Sequence, residues 1–454
     1  MQAALSRSHI ACGPAWDGPA PARLWCEAPR KIDMRRLGSK RRRRAHHAAD
    51  TGFVGGNEVE LLRGGDQLFP AMEAAIRDAR SEVWLATYIF HHDDTSLALA
   101  DALIAADRRG VRVRVVVDGF GSNLSVAALR QRFSDSGVAF AVFRPMDRWW
   151  RWMQPGQLRR LHQKLCVVDG EVAFVGGINV IADRLDMRHG ISELPRLDFA
   201  VQVRGGLVEL VSQSVRAIWS RAWLGRDFDD ALIDYVPLRR RFGLWVNQLW
   251  RGPQRLAEPA THQPPVCAAF VLRDNLRRRR TIEHAYADAI RGARQGVDIV
   301  CPYFYPGQRI REALRAAADR GVRVRLLLQG MLDYRIAGWA AEALYADLLA
   351  HGIEVYEYTP AFLHAKVAVI DGHWATVGSS NIDPLSLLLN LEANVIVLDR
   401  PFATRLAGEI EAALAVSERI SERRTTGLRA LFHRAVVAWF AYVFLRVAGA
   451  AGRY

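Results

Sequence analysis

One fragment occurs twice in this chain. His162-Gln-Lys164, four residues and Asp169 recur in the second half as His364-Ala-Lys366, four residues and Asp371. Each copy carries a matching tail, Gly176-Gly177-Ile178-Asn179 and Gly378-Ser379-Ser380-Asn381, with the same six-residue gap after the Asp. The repeat extends upstream, because the stretch from Ala105 to Gly119 is echoed from Ala317 to Gly330. Before each echo lies an Ala-rich helical pattern, Phe69 to Arg80 and Thr281 to Arg294. Strand-like runs follow, Glu82 to Phe90 and Val297 to Tyr303. A domain-sized period means duplication of one α/β unit and not a solenoid. The predicted fold class is therefore α/β, with two similar lobes and a two-sided site made where the copies face each other.

A chain of 454 residues, 50% hydrophobic, is long enough to bury two cores. Its formal charge of +14 favours an anionic partner, either nucleic acid or an acidic phospholipid surface. The five cysteines (Cys12, Cys26, Cys166, Cys267, Cys301) have neither metal-ligand spacing nor the look of a disulfide framework, which predicts a reducing, cytoplasmic setting.

The domain organisation follows from composition. Residues 1–54 read as a disordered basic arm without the apolar run of a secretory signal, and Met34 offers a second candidate start. Residues 55–236 and 266–415 form the two lobes, and 237–265, rich in Pro, Arg and Trp, form the linker. Residues 416–454 read as a basic amphipathic segment suited to a membrane surface, with Phe432, Trp439 and Phe444 interleaved with Arg429, Arg434 and Arg446. Trp149-Trp150-Arg151-Trp152, ahead of the first motif, is a second candidate for such contact. No stretch of about twenty apolar residues occurs, so membrane contact is expected to be peripheral.

Within each motif the period of two in a strand points His162 and Lys164 to one side, and His364 and Lys366 likewise. An Asp-Gly turn then brings the Gly-x-x-Asn tail back beside the strand. Two facing motifs supply two imidazoles, two ammoniums and two amides. Phosphodiester transfer needs such a set: a nucleophile, an acid for the leaving alkoxide and fixed positive charge for the phosphoryl oxygens. The lysines do the charge work, so neither a metal nor another cofactor is called for. His91 and His92 have no partner in the repeat and read as end-of-strand polar residues, and Arg277 to Arg280 as a solvated basic face.

The duplicated His-x-Lys-x4-Asp-x6-Gly-(Gly/Ser)-x-Asn pattern resembles the phospholipase D superfamily at every signature position. The resemblance implies two lobes with mixed central sheets flanked by helices, the site on their seam and a covalent phosphohistidine intermediate. It makes His162 the nucleophile and His364 the general acid, later the base. It sets Lys164, Lys366, Asn179 and Asn381 around the phosphate and counts Asp169 and Asp371 in the signature, where their place at a turn also suggests a structural role. It further implies a carboxylate behind each His, for which Glu392 and, less directly, Asp198 are the candidates. Ser379 faces Gly177 in the alignment of the two halves, so any hydroxyl contact is expected on one side only.

Segments such as Thr87-Tyr88-Ile-Phe90, Val117-Asp118-Gly-Phe-Gly-Ser122 and Asp383-Pro-Leu-Ser386 resemble bacterial cardiolipin synthases of the B type, which lack N-terminal membrane spans. That resemblance implies transfer of a phosphatidyl group between two phosphatidylglycerols with release of glycerol. It implies an anionic membrane partner at the cytoplasmic side of the inner membrane, with no nucleic acid. Hydrolysis, phosphatidylethanolamine or glycerol as partner substrate, a nuclease and a non-catalytic basic binding module are the alternatives.

Overall fold

The computed structural model describes residues 52–146, 159–186, 190–230, 266–274, 278–330, 345, 347–383, 386 and 390–421. The Trp149 to Trp152 segment, the linker, the C-terminal segment beyond 421 and nearly all of the basic arm lie outside the described residues.

Both copies of the repeat fold in the same order. The first lobe runs β1 (Val54–Arg63), α1 (Gly64–Asp78), β2 (Glu82–Thr87), α2 (Asp94–Arg108), β3 (Arg112–Asp118), α3 (Val126–Phe133), β4 (Ala139–Phe143), β5 (Lys164–Val168) and β6 (Val172–Gly176). A short ribbon of β7 (Leu185–Asp186) and β8 (Gly190–Ile191) follows, then β9 (Phe199–Arg204) and α4 (Leu207–Asp230). The second lobe runs β10 (Val266–Arg273), α5 (Thr281–Gly292), β11 (Gly296–Val300), α6 (Gln308–Asp319), β12 (Arg323–Gln329), β13 (Glu354–Tyr358), β14 (Val367–Ile370) and β15 (Trp374–Gly378). It ends with β16 (Glu392–Leu398), α7 (Arg400–Ala415) and β17 (Glu418–Arg419).

The strand orders are β4-β3-β2-β5-β6-β9-β1 and β13-β12-β11-β14-β15-β16-β10, the same pattern twice. In each lobe the first three strands are parallel and the rest antiparallel. The two sheets are joined edge to edge: β1 pairs antiparallel with β10 through Val54↔Ala268 and Asn57↔Val266, giving one 15-stranded sheet. The pseudo-twofold axis runs between those two strands.

Strand alternation builds the layers. Leu165 and Val167 of β5, with Val367 and Val369 of β14, enter a core common to both lobes, which α4 and α7 cover. Cys166 and Val168 enter a separate core under α1 and α2, while Ala368 and Ile370 enter its counterpart under α5 and α6. Asp93 caps α2 by accepting from the Ser96 amide at 3.0 Å, and Asp399 caps α7 through the Phe402 amide at 2.9 Å. α1 begins at Gly64, ahead of the apolar pattern, because a φ of +67° there turns the chain sharply off β1.

Candidate active site

Both motif histidines lie on the edge of the sheet reached by the C-terminal ends of β2, β3, β11 and β12. Their backbones are fixed by the opposite lobe. Leu161 bridges Leu391, with the His162 amide donating to the Leu391 carbonyl at 3.0 Å. Leu197 bridges Leu363, with the His364 amide donating to the Leu197 carbonyl at 2.9 Å.

Each of these partner segments runs directly into a carboxylate, so the carboxylates cross the seam. Glu392 of the second lobe lies 3.0 Å from Nδ1 of His162, and Asp198 of the first lobe lies 2.6 Å from Nδ1 of His364. With both Nδ1 atoms engaged, Nε2 is the remaining ring nitrogen of each imidazole. The Ser379 hydroxyl donates to the Glu392 carboxylate. On the other side Gly177 takes the place of Ser379, and a Cβ there would sit 2.4 Å from Oδ1 of Asp198. The glycine is there to admit the carboxylate.

Lys164 Nζ donates to the His162 carbonyl at 2.8 Å, and Lys366 Nζ to the His364 carbonyl. Burial, then repulsion from Lys366, lowers Lys164 to about 7, and burial lowers Lys366 to about 8. Burial likewise lowers His162, and it drives His364 well down with help from Lys366 and Arg196. Burial raises Asp198 to about 6. Burial opposes ionisation of Glu392 too, but His162, Lys164 and the Ser379 hydrogen bond outweigh it and hold the carboxyl below its ordinary value. These shifts favour neutral imidazoles, an ionised Glu392 and lysines close to losing their protons. An entering phosphodiester anion reverses these penalties. Asn179 and Asn381 are both buried; Asn179 accepts from the Ile89 amide at 3.3 Å, and Asn381 lies 4.0 Å from the Cys301 thiol.

Two residues of the signature, expected to serve as much in structure as in chemistry, stand apart from the histidines and lysines. Asp169 accepts from the amides of Arg80, Ser81 and Glu82, and Asp371 from those of Arg294, Gln295 and Gly296. They sit at the far ends of β5 and β14, roughly 16 Å along the strand from the lysines at about 3.3 Å per residue. They pin the helix-to-strand turns, at the opposite end of the strands from the two imidazoles.

Three further residues bear on the site without having been assigned a role from sequence. Asp118 ends β3 and accepts from the Leu161 amide at 2.9 Å; Gln329 ends β12 and accepts from the Leu363 amide at 2.8 Å. Each holds the residue preceding a motif histidine. Asp118 is fully buried, which raises it to about 6 against the pull of Arg160 and of three backbone amides. The signal was a polar residue closing an apolar strand at the same point of both repeats. Tyr88 has its ring centroid 5.0 Å from that of His162 and 5.6 Å from Nζ of Lys164. Its counterpart in the second lobe is Pro302, two residues before the bridge Phe304↔Ile382 as Tyr88 is before Phe90↔Val180. His91 pairs with the capping Asp93 at 3.1 Å, outside the site. Among the described residues no group of three or more His, Cys, Asp or Glu has the arrangement of a metal site, and no helix is long and apolar enough to cross a membrane.

The family model described as cardiolipin synthase, PLD-like domain, matches residues 72–191 and 286–414, one match in each lobe. Cardiolipin synthase B of Salmonella typhimurium (strain LT2) is 37% identical over 380 residues, covering 82% of this chain and 86% of that protein. Cardiolipin synthase B of Escherichia coli (strain K12) is 36% identical over 376 residues, covering 82% and 84%. Cardiolipin synthase A of Pseudomonas fluorescens (strain SBW25) is 33% identical over 377 residues, covering 83% and 72%. Among solved structures, the phosphatidylserine synthase of Haemophilus influenzae Rd KW20 superposes with a TM-score of 0.61 at 14% identity, covering 89% of this chain and 98% of that one, a likeness of fold.

Proposed function

The chain belongs to the cardiolipin synthase family with phospholipase D-like domains, and on that premise we propose that it transfers a phosphatidyl group from one phosphatidylglycerol to another. Nε2 of His162 attacks phosphorus, forming a P–N bond as the bond to the glycerol oxygen breaks. His364, protonated on Nε2 once the phosphodiester anion has entered, passes that proton to the departing glycerol alkoxide. The terminal hydroxyl of a second phosphatidylglycerol then gives its proton to His364 and attacks phosphorus, breaking the P–N bond and releasing cardiolipin. Lys164, Lys366, Asn179 and Asn381 hold the non-bridging oxygens, where charge accumulates in both steps.

The crossed His–carboxylate pairs carry this reading. An ionised Glu392 stabilises the positive charge that develops on His162 as it attacks, and Asp198 does so for His364 as it takes a proton. No cofactor enters the scheme. The enzyme works as a peripheral protein on the cytoplasmic side of the inner membrane, with phosphatidylglycerol and the anionic membrane surface as partners and no nucleic acid. Incubation with vesicles of isotope-labelled phosphatidylglycerol tests it by mass spectrometry of the products. Cardiolipin with free glycerol is expected, and phosphatidic acid alone would make water the acceptor and the protein a hydrolase.

A further inference from the structure

Exposed apolar side chains collect at the catalytic edge of the sheet. Leu124 is 79% exposed and Phe120 42%, on the loop 119–125 that leaves Asp118, the residue holding Leu161 beside His162. Ile191 is 84% exposed and Leu194 48%, on the segment that runs into Asp198 behind His364. Tyr305, 36% exposed, follows Cys301, whose thiol lies 4.0 Å from Asn381. Three separate loops thus present large apolar groups within a few residues of a site residue.

Two of the three have a composition unusual for solvent-facing turns, while 190–196 carries Glu193 and Arg196. In a chain with 24% charged residues, loops 119–125 and 301–307 contain no Asp, Glu, Lys or Arg. The charge stands behind them. The Arg160 guanidinium lies 5.3 Å over the Phe120 ring and donates to the Arg144 carbonyl at 3.1 Å, while Arg144 donates to the Arg159 carbonyl at 2.8 Å. Burial first, then Arg159 and Arg160, lowers Arg144 to about 10 against the pull of Asp118, which lies 3.8 Å from Arg160; three guanidinium groups beside one carboxylate leave the cluster net positive. Apolar tips backed by guanidinium groups match the order of a bilayer surface, acyl chains beneath phosphates. A protein partner would instead call for a flatter mixed patch with charge at its rim.

We propose that loops 119–125, 190–196 and 301–307 form the surface by which this protein docks on an anionic lipid bilayer, with Leu124 and Ile191 as the side chains that enter it. The choice of lipid rests on the phosphatidyltransferase reading. Docking there sets the cleft against the headgroups, so that a phosphatidylglycerol reaches the histidines while its acyl chains stay in the bilayer.

The test uses the full chain and its double variant Leu124→Asp with Ile191→Asp, neither residue belonging to the catalytic set. Co-sedimentation with phosphatidylglycerol vesicles should weaken about tenfold or more, which at about 1.4 kcal/mol per decade is the scale of withdrawing one apolar side chain. Vesicle turnover should fall in parallel, while turnover of a short-chain, monomerically dispersed phosphatidylglycerol stays at the wild-type rate. Leu124→Trp should tighten vesicle binding several-fold, a gain that misfolding cannot produce. Vesicle affinity unmoved by both sets of changes overturns the proposal, as does a change in sedimentation coefficient without a change in vesicle binding, which would make a second copy the occupant. If the wild type turns over neither substrate yet the vesicle effects appear, the docking surface stands and the proposed reaction falls.

Discussion

Replacing Glu392 with Gln should act on His162, in the other lobe. The amide keeps the volume and can still accept from Nδ1 of His162 and from the Ser379 hydroxyl, so the fold is preserved and only the charge is removed. With an effective dielectric of about 20, a full charge about 4 Å from an imidazolium stabilises it by about 4 kcal/mol. That corresponds to about a thousandfold in the rate of a step that places positive charge on the ring. The step can be isolated with a phosphodiester lipid whose leaving group is 4-nitrophenolate, which departs without protonation and so bypasses the acid. In rapid mixing the wild type should show a burst of nitrophenolate as the covalent intermediate fills. Glu392→Gln should slow that burst about a thousandfold. Asp198→Asn, which disables the support of His364, should keep the burst and slow the steady state that follows. The reverse pattern, an intact burst in Glu392→Gln and a lost one in Asp198→Asn, would make His364 the nucleophile. A burst intact in both would refute the electrostatic role of the crossed carboxylates.

His162→Ala should form neither the covalent adduct nor cardiolipin, and substantial residual product would remove it as nucleophile. Gly177→Ala puts a Cβ 2.4 Å from Oδ1 of Asp198, so a loss of about 1–3 kcal/mol in denaturant unfolding is expected, with the nitrophenolate burst retained and turnover reduced. Asp169→Ala strands three backbone amides and should cost about 2–3 kcal/mol of stability with near-normal activity in the folded fraction; a large fall in turnover by stably folded protein would return Asp169 to the catalytic set. Competitive inhibition by inorganic phosphate should weaken as pH rises through about 7 to 8, where Lys164 and Lys366 lose their protons. The same depressed lysine values mean that the unfolded chain binds more protons above pH 7, so the melting temperature of the ligand-free protein should rise with pH in that window. A fall would contradict the burial of the two ammoniums.

Much of the architecture was legible because it is periodic. The repeat located both lobes, and the alternation Lys164, Cys166, Val168 against Leu165, Val167 located both faces of β5. The Asp-Gly turns were legible from their residue types, and both aspartates adopt positive φ, 53° and 51°. Which carboxylate serves which ring was not legible. That pairing depends on how the lobes dock, through Leu161 beside Leu391 and Leu197 beside Leu363, and no local pattern encodes a contact between residues more than 160 positions apart. For the same reason the joining of β1 to β10 was missed, since either strand reads equally well as a free edge. The turn position of Asp169 and Asp371 already pointed to a structural role, and their constant spacing from the histidines is the length of the strand that leads into each Asp-Gly turn.

The crossing has a chemical consequence that duplication alone would not. If each His were oriented by its own lobe, either lobe alone would hold a formed imidazole–carboxylate pair, exposed to water whenever the lobes separated. Here Glu392 reaches His162, and Asp198 reaches His364, only when the lobes are seated. On the proposed assignment, the nucleophile and the acid are therefore assembled together or not at all. Within that assembly the halves differ where their duties differ. Ser379 steadies an ionised carboxylate behind His162, the proposed nucleophile, and the Tyr88 ring lies 5.0 Å from the same imidazole. Opposite, Gly177 yields its space to Asp198, whose affinity for protons near pH 6 suits a histidine that trades a proton twice in each cycle. The duplicated scaffold sets the positions, and these few substitutions divide the labour between them.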